Sequence, residues 1–248
     1  MHRHMIILSS SYTEKTRIAI DCVDDLPKFT KYVDMVCQAY DGKRVLFSTH
    51  GLTTDSPEWS SIVAMDPYFQ DVRLIQDIDQ FIRLIQKERY LTGEIVARYI
   101  LSKQRCTHTR LEKLTYLAYA DFISETGTRL FEDEIYAFDY GPVIKSVYSK
   151  YSPDSKQHPS EYITDTSEIE YSGSEMSIKS RIIFAEDGLK KQFSIDKTLQ
   201  RYREFSTEEL IDITHREGSP WKHIYSKEEV YQKIPDEFII QYHRFENP

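Results

Sequence analysis

Glycine is scarce in this chain of 248 residues: its 8 glycines are all isolated, so neither a G-x-G-x-x-G fingerprint nor a Walker loop exists. Nucleotide-driven catalysis on a glycine-rich phosphate cradle is therefore not expected. Cysteine is equally thin. Cys22, Cys37 and Cys106 are scattered and odd in number, which argues against a disulfide framework and for a reducing compartment, the cytoplasm. They lack CxxC spacing, His2 and His4 are terminal, and His215 and His223 stand eight apart across a proline-containing turn, so no metal site and no cofactor are predicted. Long apolar runs are missing too. The stretch Met5-Ile6-Ile7-Leu8 is too short for a secretory leader, and nothing approaches the ~20 residues that span a bilayer. Positive charge is in deficit: Lys+Arg 32 against Asp+Glu 40 leaves −8, so the whole molecule repels phosphate backbones and anionic lipid. No internal repeat and no long low-complexity tract is present.

What the chain does hold is tyrosine and charge. The hydrophobic fraction of 40% includes 18 Tyr, so the core must be built partly from rings whose hydroxyls need partners. At roughly 100–200 residues per domain the length predicts one or two domains with a sizeable core. The patterning divides them near residue 90, into an N-terminal α+β unit (1–90) and a mainly helical domain (91–248), an α+β chain overall.

In the first part, short β-branched runs at 16–23, 44–49, 61–65 and 72–75, each bounded by turn residues, predict strands. Helical spacing of Phe29, Tyr32, Val33, Val36 and Cys37 predicts a helix over 25–40, and Ile78, Phe81, Ile82 and Ile85 predict another over 77–90. Beyond Thr92, an N-cap candidate, the face Ile95, Val96, Tyr99, Ile100 gives one helix. Leu111, Leu114, Ala118 and Phe122 give a second over 109–125, with Gly127 past its end. The aromatic run 134–140 reads as a strand, and Gly141-Pro142 as a sharp turn opening a helix over 142–151. Residues 152–173, rich in Pro, Ser, Thr and acids, read as a surface loop or weak hairpin. Helix resumes over 196–204. Ser206-Thr207-Glu208-Glu209 is a capping box opening a helix to about Thr214, Ser226-Lys227-Glu228-Glu229 repeats the signature, and Pro235 opens a final helix.

Three blocks in the second part carry a resemblance. Leu111-Glu112-Lys113-Leu114-Thr115-Tyr116 is followed by Ala137-Phe138-Asp139-Tyr140-Gly141-Pro142-Val143 with Val147-Tyr148, and then by Leu210-Ile211-Asp212-Ile213-Thr214-His215 with Pro220-Trp221. In this order they resemble the Panacea domain, also called SocA-like or GepA-like and phage-associated, over roughly residues 90–245. The resemblance implies a predominantly helical antitoxin that neutralises a cognate toxin, encoded by a neighbouring gene, through direct protein–protein binding. One family member is an adaptor that delivers its toxin to a ClpXP-type protease. The resemblance names no toxin and leaves residues 1–90 outside it, as a partner-specific domain or a fused second function. On this basis Leu111, Lys113, Leu114, Gly141, Pro142, Val143 and Pro220 are the structural motif, and Tyr116, Asp139, Tyr140, His215 and Trp221 the expected partner-binding surface.

Each of these has a plainer role to set beside it. Asp139 can cap the amides after the turn while Tyr140 packs, and His215 with Trp221 can form a packed helix–turn junction. An acid–base pair of His215 and Asp139 would make a small hydrolase, but no Ser or Cys elbow accompanies it. A net +4 over residues 98–113 (Arg98, Lys103, Arg105, Arg110, Lys113 against Glu112) faces −5 over residues 121–139. The basic stretch could meet phosphate, with the strand–turn–helix at 135–151 as a winged-helix-like nucleic-acid module; or the two runs compensate each other on a solvated face.

Overall fold

The structure, a computed structural model, describes residues 1–11, 16–40, 47–152, 168–169, 171–229 and 231–247. The chain divides into two compact units, Met1–Tyr90 and Leu91–Pro248.

The first unit is a four-stranded sheet with helices on both faces. Strands β1 (His2–Ser11) and β2 (Thr16–Val23) pair antiparallel, α1 spans Leu26–Gln38, and β3 (Ser48–Thr54) pairs antiparallel with β1. After α2 (Trp59–Met65) comes β4 (Val72–Leu74), parallel to β2, giving the order β3-β1-β2-β4; α3 (Ile78–Lys87) closes the unit. Alternate residues of β1 explain the two cores. Met5 and Ile7 join Val36, Phe81 and Ile85 of α1 and α3, while Ile6 and Leu8 join Ile62 of α2 and Phe69. A strand apolar on both faces reads as a continuous run, which is why β1 carries no alternation and was not expected. The strand expected over 61–65 is instead the helix α2, whose 7 residues, about two turns, are too few to show a 3.6-residue period. The run expected over 44–49 overlaps β3 only at its end, and residues 44–46 lie outside the described residues. His4, fully buried, ties the sheet together: Nδ1 lies 2.6 Å from Asp21 Oδ2 and Nε2 lies 2.9 Å from Thr54 Oγ1 and 3.1 Å from the Ser56 carbonyl.

The second unit is built around one helix. α4 (Gly93–Lys103), capped by Thr92, and the two-residue β5 (Cys106–Thr107) lead into α5 (His108–Thr126), which Gly127 ends in the left-handed conformation. From Leu111 to Ala120 every residue of α5 is buried, polar ones included. A helix buried all round is a central one, and α5 packs against α4 and against most of the later helices of the unit. β6 (Ile135–Phe138) and β7 (Gly141–Ile144) form a hairpin whose two-residue turn is Asp139-Tyr140, and α6 (Lys145–Tyr151) follows. The helix expected from Pro142 thus begins three residues later. Gly141 at φ +102° allows the chain to return as a strand, and Pro142 sits where β7 has no partner on its other side.

β8 (Glu168–Ile169) pairs with β5, and α7 (Glu175–Ile183) and α8 (Gly188–Arg201) form a helical pair. Most of the loop expected over 152–173 lies outside the described residues. α7 and the first half of α8 were not expected; in α8 the pattern is inverted. α8 buries Lys191, Ser194 and Thr198 beside Ile195 and Leu199, and exposes Leu189 and Phe193. α9 (Thr207–His215) begins with the expected capping box, Ser206 and Glu209 each accepting the other's amide. α10 (Pro220–Ile224) starts on Pro220 behind the Ser219 cap. The repeat signature at Ser226 makes a turn and not a helix: Ser226 Oγ accepts from Glu228 two residues on, and Ser226 N is taken by Gln232. β9 (Gln232–Lys233) adds to β6, and α11 (Asp236–Tyr242) runs into a terminal 3-10 turn, His243–Phe245.

Candidate functional site

The three sequence blocks, up to about a hundred residues apart in the chain, meet at the β6–β7 turn. Lys113 on α5 is 1% exposed, and its Nζ donates to the Pro142 carbonyl at 3.0 Å. Its neighbour Glu112, 2% exposed, accepts from the Ile144 amide at 3.1 Å through Oε2. The hairpin is thereby bolted to α5 by an acid and a base from one helical turn. A β-carbon added to Gly141 would lie 2.8 Å from Lys113 Nζ, 3.0 Å from Thr214 Oγ1 and 3.1 Å from His215 Nε2, so only glycine lets the first and third blocks close over the second.

The third block locks the other side of the turn. His215, at the end of α9, stacks on Trp221 of α10 with centroids 3.9 Å apart, and Trp221 stacks in turn on Tyr225 at 4.4 Å. Trp221 Nε1 donates to the Phe138 carbonyl at 2.8 Å, and Tyr225 donates its hydroxyl to Asp139 at 2.9 Å. Burial, with Lys113 and Lys222 nearby, pushes the His215 imidazole down to about 4, so it is neutral at pH 7. Burial also raises the Glu112 carboxyl well above the usual range and lowers the Lys113 ammonium, each offset in part by the other's charge.

Between the turn, α5 and α6 lies a small cavity of about 40 Å³. Its floor is His108, Glu112, Lys113 and Val143; its mouth is Phe138, Asp139, Tyr140, Tyr148 and Thr109. Tyr148 stands edge-on to both Phe138, at 5.4 Å, and His108, at 5.5 Å. A concave site with a few buried titratable groups of perturbed pKa is where binding chemistry concentrates.

The expected surface residues separate here. Asp139 is exposed, Tyr140 and His215 are half-buried, and Trp221 is 6% exposed behind the two rings it stacks on. Tyr116 is corrected outright: it is fully buried on α5 and donates to Glu246 at 2.9–3.0 Å, so it belongs to the core and not to a surface. Leu111, Leu114, Gly141, Pro142, Val143 and Pro220 are buried. Asp139 takes the Tyr225 hydroxyl instead of capping amides, and among the described residues no hydrogen bond joins it to His215.

Three of the five basic residues of the 98–113 stretch are engaged internally. Lys103 pairs with Glu175, Arg110 donates to the carbonyls of Phe205 and Tyr202, and Lys113 is buried. The acidic run is satisfied elsewhere: Asp133 accepts from Gly93 N and Ser146, Glu134 pairs with Lys233 at 2.5 Å, and Asp121 with Arg201 at 2.7 Å. Among the described residues no ion pair joins the two runs.

A second buried polar group, unannounced by any motif, secures the C-terminus to α5. His243 Nδ1 lies 2.7 Å from Glu246 Oε2 and its Nε2 2.9 Å from Asp121 Oδ1. Burial alone would lower the imidazole's pKa, but the two carboxylates raise it to about 9. No group of three or more His, Cys, Asp or Glu among the described residues could hold a metal ion, and no helix among them is long and apolar enough to cross a membrane.

Glu112, His108, Tyr148 and Tyr225 were not singled out from sequence. Glu112 and Tyr148 stood in the motif blocks, and the spacing of His108 and Glu112 was the available signal, since i and i+4 share a helix face.

No curated protein and no solved structure matches the chain significantly. A family model does, and it supports an antitoxin-type role. Residues 111–222, which hold all three blocks together with Glu112 and Lys113 of the cavity floor, match the family described as antitoxin SocA-like, Panacea domain.

Proposed function

We propose that this protein is the antitoxin of a toxin–antitoxin pair, acting in the cytoplasm by binding a protein toxin encoded by a neighbouring gene. The observation that carries the proposal is the match of residues 111–222 to the SocA-like Panacea domain. The rim of the cavity, with Asp139 and Tyr140 at the hairpin turn and the His215–Trp221–Tyr225 stack behind it, is the surface we assign to the toxin. An aromatic cluster held rigid by its neighbours is the usual make-up of an interface hot spot, because little side-chain entropy is lost on binding. Neutralisation is by occlusion of the toxin, without catalysis. Residues 1–90 form a unit with its own core and serve partner choice.

The test is growth of bacteria expressing the adjacent reading frame, alone and with this protein. Arrest by the neighbour and rescue by co-expression are expected. A harmless neighbour, or arrest that persists beside folded protein, overturns the pairing. Toxin abundance in hosts with and without a ClpXP-type protease separates occlusion, where it is unchanged, from delivery for degradation, where it falls only with the protease present.

A further inference from the structure

The cavity under the β6–β7 turn has a chemistry that specifies its occupant. Three of its walls are aromatic, Phe138, Tyr140 and Tyr148, and Tyr148 is held edge-to-face against Phe138 and His108 at 5.4 and 5.5 Å. Ring faces carry partial negative charge and attract cations. The floor holds a carboxyl that is only half used. Glu112 Oε2 accepts from the Ile144 amide, whereas Oε1 is buried with no hydrogen-bond partner, His108 Nε2 standing 3.9 Å away, beyond bonding distance. A buried polar atom left in that state is destabilising by about 1–3 kcal/mol, more if charged, and calls for a donor. The mouth carries a second carboxylate, exposed Asp139. Lys113, also in the lining, is bonded to the Pro142 carbonyl and is drawn towards Glu112 and Glu246.

Size narrows the choice further. At about 40 Å³ the cavity exceeds the ~10–15 Å³ that one water needs, but it is far below the ~300–1,000 Å³ of pockets that enclose whole metabolites. It fits the tip of a group whose body stays outside. A net charge of −8 over the chain favours approach by a basic partner.

We propose that this cavity receives a cationic side-chain tip of the toxin, a lysine ammonium in preference to the larger guanidinium, seated between the Tyr140 and Tyr148 rings and donating to Glu112 Oε1. The inference rests on the antitoxin assignment only for the identity of the protein that supplies the lysine. The cation preference itself belongs to the isolated protein and is measured there.

The experiment uses the full chain with methyl-labelled valine and follows the Val143 methyl signals, assigned by Val143→Ile, during titration with n-butylammonium. Saturable shifts are expected, with 1-butanol, butyrate and n-butylguanidinium binding at least about tenfold more weakly, the discrimination that ~1.4 kcal/mol of charge-dependent contact gives. Glu112→Gln and, independently, Tyr148→Leu at the mouth should each weaken n-butylammonium by a similar factor while Trp221 fluorescence reports an intact fold. Equal binding of 1-butanol would show a merely apolar pocket, and tighter butyrate an anion site; either result, or no shift at all, overturns the proposal. Loss of growth rescue with the butylammonium response intact would instead remove the toxin as the donor and leave the cation site standing.

Discussion

Gly141→Ala is the substitution most sharply constrained by the geometry. The backbone there has φ +102°, beyond the left-handed well that non-glycine residues can enter, and holding alanine in such a region costs about 1–3 kcal/mol. The new β-carbon would also come within 2.8 Å of Lys113 Nζ, 3.0 Å of Thr214 Oγ1 and 3.1 Å of His215 Nε2. The lysine is the flexible one of the three, so it yields, and moving it breaks the buried bond to the Pro142 carbonyl. A hydrogen bond to a charged group is worth about 1.5–3 kcal/mol. The total loss is therefore about 2.5–6 kcal/mol. Gly127→Ala is the matched control: its φ of +69° lies in the left-handed well and nothing stands within 4 Å of the added carbon, so it should cost only about 1 kcal/mol. Urea unfolding followed by fluorescence measures both. The chain has 2 Trp, Trp59 in the first unit and Trp221 in the second, so a Trp59→Phe background leaves Trp221 as reporter of the second unit alone. Equal midpoint shifts for the two alanines would refute the account of Gly141.

The remaining expectations concern two histidines, His215 and His243, and two faces. His215 has a pKa depressed to about 4, so its contribution is present above 6.5 and lost as pH falls through 4; His215→Phe, which keeps a stacked ring, should flatten the acid limb of second-unit stability between those values. His243 is raised to about 9, so its contribution is full below 6.5 and disappears as pH rises through 9; the stability gap between wild type and His243→Gln should close over that range, and a constant gap would contradict the bridging role. Trp221→Phe should cost about 1 kcal/mol, the bond to the Phe138 carbonyl, whereas Trp221→Ala should cost about 3–5 kcal/mol by emptying the stack, both read from urea midpoints by circular dichroism. Phe193→Ser, at a side chain 71% exposed, should change stability by less than about 0.5 kcal/mol; a larger loss would mean that the α8 face is covered in the folded protein.

Much of the local structure was legible in the sequence, because its causes are local. Thr92, the Ser206 capping box and Gly127 mark helix ends through bonds to amides or a left-handed backbone within a few residues. The faces of α1, α3 and α4 follow 3.6-residue apolar spacing against one side of a core. The three motif blocks, read in their order along the chain, are the segments that meet at the β6–β7 turn. Where the pattern failed, burial had two sides or the wrong chemistry. β1 is apolar on both faces, and α8 buries a lysine, a serine and a threonine while exposing leucine and phenylalanine.

By itself the sequence determined the α+β class, the helix boundaries set by caps, and the Panacea resemblance. Only the tertiary structure decided what the motif residues do. Tyr116 and Lys113, four residues around Leu114, are both interior, one held by Glu246 and the other by the Pro142 carbonyl. Asp139 faces Tyr225 and not His215, and Glu112 becomes a cavity floor. The physical reason is that a hydrogen-bond partner at a distance of tens of residues leaves no trace in local spacing. Whether a polar side chain on α5 meets solvent, a carbonyl or an empty cavity depends on which elements close around that helix from every side.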